Sequence, residues 1–328
     1  CIKFGLQKKC IVSLFGIIAP FLILRRIFPK LSWIHIKVQD FIMGIFMRKC
    51  DICISLTGYV YAPRIAQKKG AIIIMERGSK HILEQKKILE KNPHKKNEAI
   101  PNRNIKCNLK AYQFANFISV ASQHVKESFL LHQYPENRIF VNPYGVDLSM
   151  FKPLPNIPKK YDVIMVGGWG YEKGCDLIVE AIRKTNYSFI HVGSIKDVDF
   201  PQEKNFTHID PVDQSKLIEY YNQAKVFILP SRQDGFGMVL SQALACNLPI
   251  IGSNNCGAPD LKKMVELPEY ITIIKDYTAD AIVTAIHTAI KNYEQLGERI
   301  YAGNAIENLT WEAYGKRYAN FLHKIIKQ

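Results

Sequence analysis

The chain has 328 residues, 48% of them hydrophobic, and a formal net charge of +15. That apolar content over that length excludes large-scale disorder and supplies cores for two packed domains of ordinary size. The charge is one-sided, because residues 1–150 carry 24 Lys and Arg against 9 Asp and Glu, whereas residues 151–328 carry 20 against 20. A basic surface of this kind recruits a polyanion, whether an anionic bilayer, a nucleic acid or an acidic substrate. No zinc finger, RRM signature or other nucleic-acid module is present, and the basic residues are not interleaved with aromatics in a repeating way, so no nucleic-acid partner is expected.

In chain order, the first feature is Ile11–Phe28, apolar apart from Ser13 until Arg25 and Arg26, with Trp33 beyond. Its uninterrupted part, Leu14–Leu24, is shorter than the roughly 20 residues that cross a bilayer, and it contains Pro20. It lacks a small-residue cleavage site and does not read as a signal peptide. It reads as a buried helix or as a peripheral contact with an anionic leaflet, and the two are compatible.

Strand-like runs follow at Asp51–Leu56, Ala71–Met75, Phe117–Ala121 and Ile139–Asn142, alternating with helical stretches. Ala71–Met75 runs straight into Glu76-Arg77-Gly78-Ser79-Lys80-His81, and ligands gather at the carboxyl ends of parallel strands. This charged turn is therefore expected to face a cleft between domains. His81 is either a ligand contact or a packing residue, and Arg77 is placed to hold an anion. His124, His132 and His191 lack such a context and read as structural. Cys50 and Cys53 form a single C-x-x-C without a second pair at zinc spacing, so the eight cysteines read as free thiols in a reducing compartment, with no metal site.

Met150–Lys160, with Pro153, Pro155 and Pro158, is the proline-rich connection between two strand–helix series and marks domains 1–150 and 151–328. Beyond it, runs at Asp162–Val166, Phe189–Val192, Val226–Leu229, Ile250–Gly252 and Tyr270–Ile274 continue the alternation, which predicts an α/β protein with helix-wrapped parallel sheets.

Two of these strands end in glycine turns. After Asp162–Val166, Gly167–Lys173 leads through Gly174 into a helix with apolar positions Leu177, Ile178, Ala181 and Ile182. After Val226–Leu229, closed by Pro230, Gly235 and Gly237 precede a helix over about Met238–Cys246. Asn247 then stands where a left-handed cap is wanted, and Pro249 opens the next run. Unpaired donors and the positive dipole end at such a helix start favour an anion. Asp234 and, after seven intervening residues, Gln242 flank that place. The alternative is an ordinary strand–turn–helix unit in which Asp234 caps the helix and Lys173 is merely solvated.

The segment Ala224–Leu261 resembles the donor-site signature of retaining glycosyltransferases of family 4, which have the GT-B fold. It keeps Pro230, Ser231, Gly235, Phe236, Gly237, Ala245 and Pro249, and has Asp234 and Gln242 where the family has two glutamates. Asp is one methylene shorter than Glu, and Gln is neutral with both donor and acceptor capacity. Gly167–Lys173 resembles the family's diphosphate loop, with Lys173 at its lysine and Gly168 at its arginine. Asn142–Asp147 resembles a segment near the domain junction, with Tyr144 in place of asparagine, and Leu309–Glu312 resembles a C-terminal signature. Together these cover most of the chain after about Cys50.

The resemblance implies two Rossmann-like, doubly wound parallel-sheet domains with an interdomain cleft, the first on the acceptor side and the second binding the donor, with a last helix that crosses back. It implies transfer, with retention, of a sugar from a UDP- or GDP-sugar to a hydroxyl of a saccharide or lipid-linked acceptor, as in cell-surface polysaccharide or glycolipid synthesis. The free thiols, the basic first half and Ile11–Phe28 lead to the expectation of a cytoplasmic protein, peripheral on the membrane's cytoplasmic face. Lys173, with the Gly167–Gly168 loop and the backbone N–H groups of Gly237 and Met238, would meet the diphosphate. Asp234 and the Phe236–Val239 backbone would orient the sugar, and Gln242 would bond the ribose. Arg232 would replace the cation missing at Gly168, and His81 matches an active-site histidine. No metal or other cofactor is implied. The family opens with a strand and a glycine-rich turn ahead of the region of Ile11–Phe28, so a missing first strand–helix unit before Cys1 is expected. A nicotinamide-dependent oxidoreductase fits poorly for want of G-x-G-x-x-G followed by an acid. An epimerase or phosphorylase of the same fold, and a non-catalytic relative that binds donor or membrane only, stand as alternatives.

Overall fold

A computed structural model describes residues 32–94, 100–297 and 299–327, together with Ser13, Gly16, Ile17 and Ala19. Apart from those four residues, Ile11–Phe28 lies outside the described residues. The chain divides into two units, Cys1–Glu76 with Asn102–Ile118, and Arg77–Pro101 with Ser119–Gln328.

β1 (Ile52–Leu56), β2 (Ile72–Arg77), β3 (Phe117–Val120) and β4 (Ile139–Val141) form a four-stranded sheet in that order. β1 and β2 pair in parallel, from Ile52 opposite Ile72 to Leu56 opposite Glu76. In the first unit the helix Tyr61–Lys68 has Val60 at its N-cap, whose side chain caps nothing. Asp40 takes over that work, its carboxylate accepting from the backbone N–H groups of Val60, Tyr61 and Ala62 at 2.9, 2.8 and 2.9 Å. Asp40 lies on the helix Ser32–Ile45, which leaves Ile36, Phe41 and Ile45 exposed.

The second unit holds β5 (Tyr161–Val166), β6 (Phe189–Val192), β7 (Phe206–Ile209), β8 (Ala224–Leu229), β9 (Ile250–Ser253) and β10 (Ile271–Ile274). Their order is β10-β9-β8-β5-β6-β7, and every neighbouring pair is parallel. β6 and β9 are buried along their whole length and β8 buries Val226–Leu229, which is why that stretch of β8 reads as a continuous apolar run. The helix Cys175–Arg183 buries Leu177, Ile178, Ala181 and Ile182 as its pattern predicts. The helix Ala279–Leu296, capped by the Thr278 side chain, buries Ile282, Ala285, Ile286, Ala289 and Ile290 at helical spacing. Each such isoleucine contributes about 1.5–3 kcal/mol by leaving water.

The expected strands are all present with ends shifted by at most two residues, and one strand escaped the pattern. β7 is the edge of its sheet and only Phe206 of its four residues is buried, so Phe-Thr-His-Ile carries too little apolar signal. Asn247 has φ 61, the left-handed cap its position calls for.

The strand order also locates a crevice. From β5 the chain moves outward through β6 and β7, then returns to β8 on β5's other side. The loops that leave the carboxyl ends of β5 and β8 therefore lead away to opposite sides, the place where open parallel sheets bind ligands.

Candidate functional site

Both glycine turns sit at this switch point. The first follows β5 and ends in a short 3-10 turn, Tyr171–Lys173, closed by Gly174 in the left-handed region at φ 75. The second follows β8 and ends at Gly237, φ 79, the N-cap of the helix Met238–Ala245. Only glycine takes that conformation cheaply. No side chain caps this helix, so its first N–H groups remain available to an anion. Asp234 is thus not the N-cap, and its Oδ1 is 3.4 Å from the Phe236 N–H.

One ion pair joins the two turns. Lys173 Nζ lies 2.6 Å from Asp234 Oδ2, with both side chains less than one-fifth exposed. Burial pulls the Lys173 ammonium down, but the charge and hydrogen bond of Asp234 outweigh it and hold the pKa above the ordinary lysine value. The ammonium is therefore fully charged at neutral pH.

The first turn is held by its neighbours in sequence. Gly167 N–H donates to Val192 O at 2.9 Å, Trp169 N–H to Ser194 O at 2.8 Å, and Lys196 N–H to Trp169 O at 2.9 Å. Trp169 itself is fully buried. His191, also fully buried, puts Nε2 2.8 Å from Gly167 O and Nδ1 3.0 Å from His208 Nδ1. The carbonyl needs a donor, so Nε2 carries the proton and Nδ1 accepts from His208. Burial, opposed by the bond to Gly167 and reinforced by His208, lowers the His191 pKa to about 4.

The second turn is held from both far and near in sequence. Ser122 Oγ donates to Gly235 O at 2.5 Å, and Gln233 Nε2 donates to Ser79 Oγ. A Cβ on Gly235 would fall on the carbonyl oxygen of Gly78. Ser253 Oγ and Tyr277 OH both donate to Ser231 O, at 2.6 and 3.0 Å. Lys80 Nζ donates to Asn255 Oδ1 at 2.7 Å, and Asp234 N–H to Asn255 O at 2.9 Å.

The remaining residues singled out from the sequence fall as follows. Gly168 lies beside Lys196, and Phe236 is buried with its ring against Gly257. Met238 is exposed, whereas Val239 is half-buried. Gln242 is 8% exposed, and its Oε1 accepts from the buried Tyr221 hydroxyl at 2.9 Å. Arg232 makes a bidentate pair with Asp176 at 2.6 and 2.7 Å, donates to Tyr171 O at 2.8 Å and stacks 3.8 Å from the centre of the Tyr171 ring. That guanidinium is paired with Asp176. Arg77 pins its own turn through Lys80 O and Gln85 Oε1, at 3.0 and 2.6 Å.

His81 heads the helix Ile82–Leu89, its ring stacked 4.0 Å from His132 and edge-on to Phe129. Burial, then the neighbouring His132 and Arg77, lower its pKa to about 3. Its turn reaches the second loop through Ser79, and Lys80 reaches Asn255 on the loop after β9. The histidine that borders Asp234 and Gly235 is His124, lowered to about 3 by burial and then by Lys80, with Asp234 opposing. It faces a cavity of 390 Å³ lined also by Lys80, Gln123, Glu127, Asn255 and Asp260. The sequence pattern does not single out Ser122 and reads His124 as structural, although both follow β3 at the carboxyl end of its sheet, where the rule applied to Glu76–His81 applies equally.

The two weaker motifs meet. Val146 N–H donates to Leu309 O at 2.7 Å, and a Cβ on Gly145 would strike the backbone of Trp311. Arg317 holds Asn142 Oδ1 at 2.7 Å and Pro143 O at 2.8 Å. Among the described residues no group of three or more His, Cys, Asp or Glu is placed to hold a metal ion, and Cys50, Cys53, Cys107, Cys175, Cys246 and Cys256 are unpaired. No described helix is long and apolar enough to cross a membrane.

Residues 149–305 match the family model of glycosyl transferases group 1. The chain is 26% identical over 242 residues to a probable sucrose-phosphate synthase of Thermosipho melanesiensis, covering 65% of this chain and 56% of that protein. It therefore spans just over half the length of that curated relative. A solved sucrose-phosphate synthase from Thermosynechococcus elongatus superposes with a TM-score of 0.67 at 17% identity, covering 92% of this chain and 80% of that one. The Anabaena protein HepE, in complex with UDP and glucose, superposes with a TM-score of 0.66 at 13% identity, covering 88% and 81%.

Proposed function

We propose, from the premise that residues 149–305 are a glycosyl transferases group 1 segment in a chain of GT-B fold, that this protein moves a sugar from a nucleotide sugar to an acceptor hydroxyl with retention at the anomeric carbon. The observation that carries the reading is the Lys173–Asp234 pair, which bridges the two glycine turns at the switch point beside an uncapped helix start.

The barrier in such a transfer is departure of the nucleoside diphosphate. As the bond from the anomeric carbon to the diphosphate oxygen breaks, its electron pair leaves with the phosphate, and preorganised donors that meet the growing charge lower the barrier. Lys173 and the N–H groups of Gly237 and Met238 are those donors, with the Gly167–Gly168 backbone alongside. Asp234 and the Phe236–Val239 backbone orient the sugar hydroxyls. Gln242, its Oε1 engaged by Tyr221, meets the ribose through its amide N–H groups. In this reading no metal takes part, and His81, next to Ser79 and Lys80 on its turn, meets the donor sugar or the acceptor.

HepE binds UDP, which supports a UDP-sugar as donor, with GDP-sugars next. The acceptor is a saccharide or a lipid-linked saccharide met by residues 1–150, with 151–328 serving the donor. The excess cations of the first half, and exposed Ile36, Phe41, Ile45 and Phe46 next to Arg48 and Lys49, suit an anionic membrane surface on the cytoplasmic side.

The test is turnover of UDP- and GDP-sugars by the whole chain and by Lys173→Ala and Asp234→Ala. Each variant should lose about 100-fold or more in kcat/KM with an unchanged circular dichroism spectrum. Unchanged turnover in both removes the assignment.

A further inference from the structure

The cations around the first glycine turn are not equivalent. Lys173 carries Asp234 at 2.6 Å, and Arg232 carries Asp176 at 2.6 and 2.7 Å, so neither adds net positive charge. Lys196, on the loop after β6, is exposed and makes no ion pair among the described residues. Its side chain lies across Gly168. A Cβ built on Gly168 would stand 2.7 Å from Lys196 Nζ and closer still to Cε.

This placement is set by backbone. Trp169 and Ile195 form a parallel bridge, Trp169 N–H bonds Ser194 O, and Lys196 N–H bonds Trp169 O. The neighbouring carboxylate, Asp197, is turned onto the same turn, accepting from Tyr171 N–H at 2.9 Å and from Asn92 Nδ2 at 2.8 Å. Trp169, buried between these bonds, anchors the arrangement. The loop after β6 thus runs beside the loop after β5 and delivers one uncompensated ammonium to it.

We infer that Lys196 is a second cation for the diphosphate of the nucleotide ligand, and that Gly168 lacks a side chain because Lys196 occupies that room. The inference rests on the reading that this turn holds a nucleoside diphosphate. Such a ligand brings several negative charges to a place where the Lys173–Asp234 pair is internally neutral, so its binding draws on a cation supplied from elsewhere. Lys196 meets that need from a strand whose loop the sequence pattern does not single out, and its flexible stem follows the phosphates as they part from the sugar.

The experiment is calorimetric titration of UDP into the whole chain, with GDP as a second probe. Lys196→Ala should weaken UDP about tenfold, the size of one charge-assisted contact, and Lys196→Arg should retain most of the affinity. Adding Gly168→Arg to Lys196→Ala should recover much of the loss, because the arginine enters the vacated room. On the wild-type background Gly168→Arg should change affinity less, since it must displace the lysine tail. Should Lys173→Ala lose UDP while Lys196→Ala keeps it, Lys196 has no such role and the proposed function stands. Should the wild-type chain bind neither UDP nor GDP, the proposed function fails and this inference fails with it. An equal loss in Lys196→Ala and Lys196→Arg, without recovery by Gly168→Arg, also overturns it.

Discussion

The two glycine turns at the switch point resemble each other in outline and differ in what holds them. The turn after β5 is fixed by residues within about thirty positions, His191, Ser194 and Asp197, and by Arg232 and Asp234 of the second turn. The turn after β8 is fixed by Ser253, Asn255 and Tyr277 of the following loops and also by residues more than a hundred positions away, Gly78, Ser79 and Ser122. A cradle of this kind is half local and half long-range. Its local half can be tuned by its own strand–loop–helix unit, whereas its long-range half registers any displacement of the segments 78–80 and 121–124.

The sharpest way to break the comparison is Gly235→Ala. The new methyl would meet the Gly78 carbonyl, which is backbone and has no rotamer to give, so the second turn and the 78–80 turn must part. Overpacking of this sort costs about 1–3 kcal/mol, or roughly 5 °C in Tm for a unit of this size. The variant should lower Tm and weaken UDP together, as calorimetry and thermal melts will show. If Gly235→Ala behaves as wild type, the long-range support is not what holds the turn.

A smaller effect sharpens the local half. The His191 pKa is lowered to about 4, while His81 and His124 are lowered to about 3. Unfolding returns these rings to an ordinary value near 6.5. Between those limits the unfolded chain binds more protons than the folded one, so stability is lost as pH falls below about 6.5. Protonated His191 would set an N–H against the His208 ring nitrogen, which loosens the bond that fixes Gly167. Tm should be flat above pH 7 and decline from 6.5 to 5, with a slope reduced by up to one proton in His191→Phe. An unchanged slope would separate His191 from the acid response.

Much of this arrangement was legible because parallel strands covered on both faces announce themselves as apolar runs, and glycine turns follow them. Lys173 pairs with Asp234, and Gly237 lies beside Asp234, so the two motifs that the family resemblance joins do meet. Edge strand β7 was hidden by half-burial. The histidines were the hardest to place from pattern alone. His81 stands in a charged turn yet stacks on His132, while His124 and His191, on a helix and in a buried strand, border the two glycine turns. Contacts such as Ser122 to Gly235 and Lys196 over Gly168 arise from strand order, which no local window reports.

The most direct measurement is a crystal structure of the chain soaked with a UDP-sugar. The account predicts diphosphate density between residues 167–174 and the N-terminus of the helix Met238–Ala245, with Lys173 Nζ on a phosphate oxygen and Asp234 on the sugar. Density for the diphosphate away from both glycine turns would contradict it.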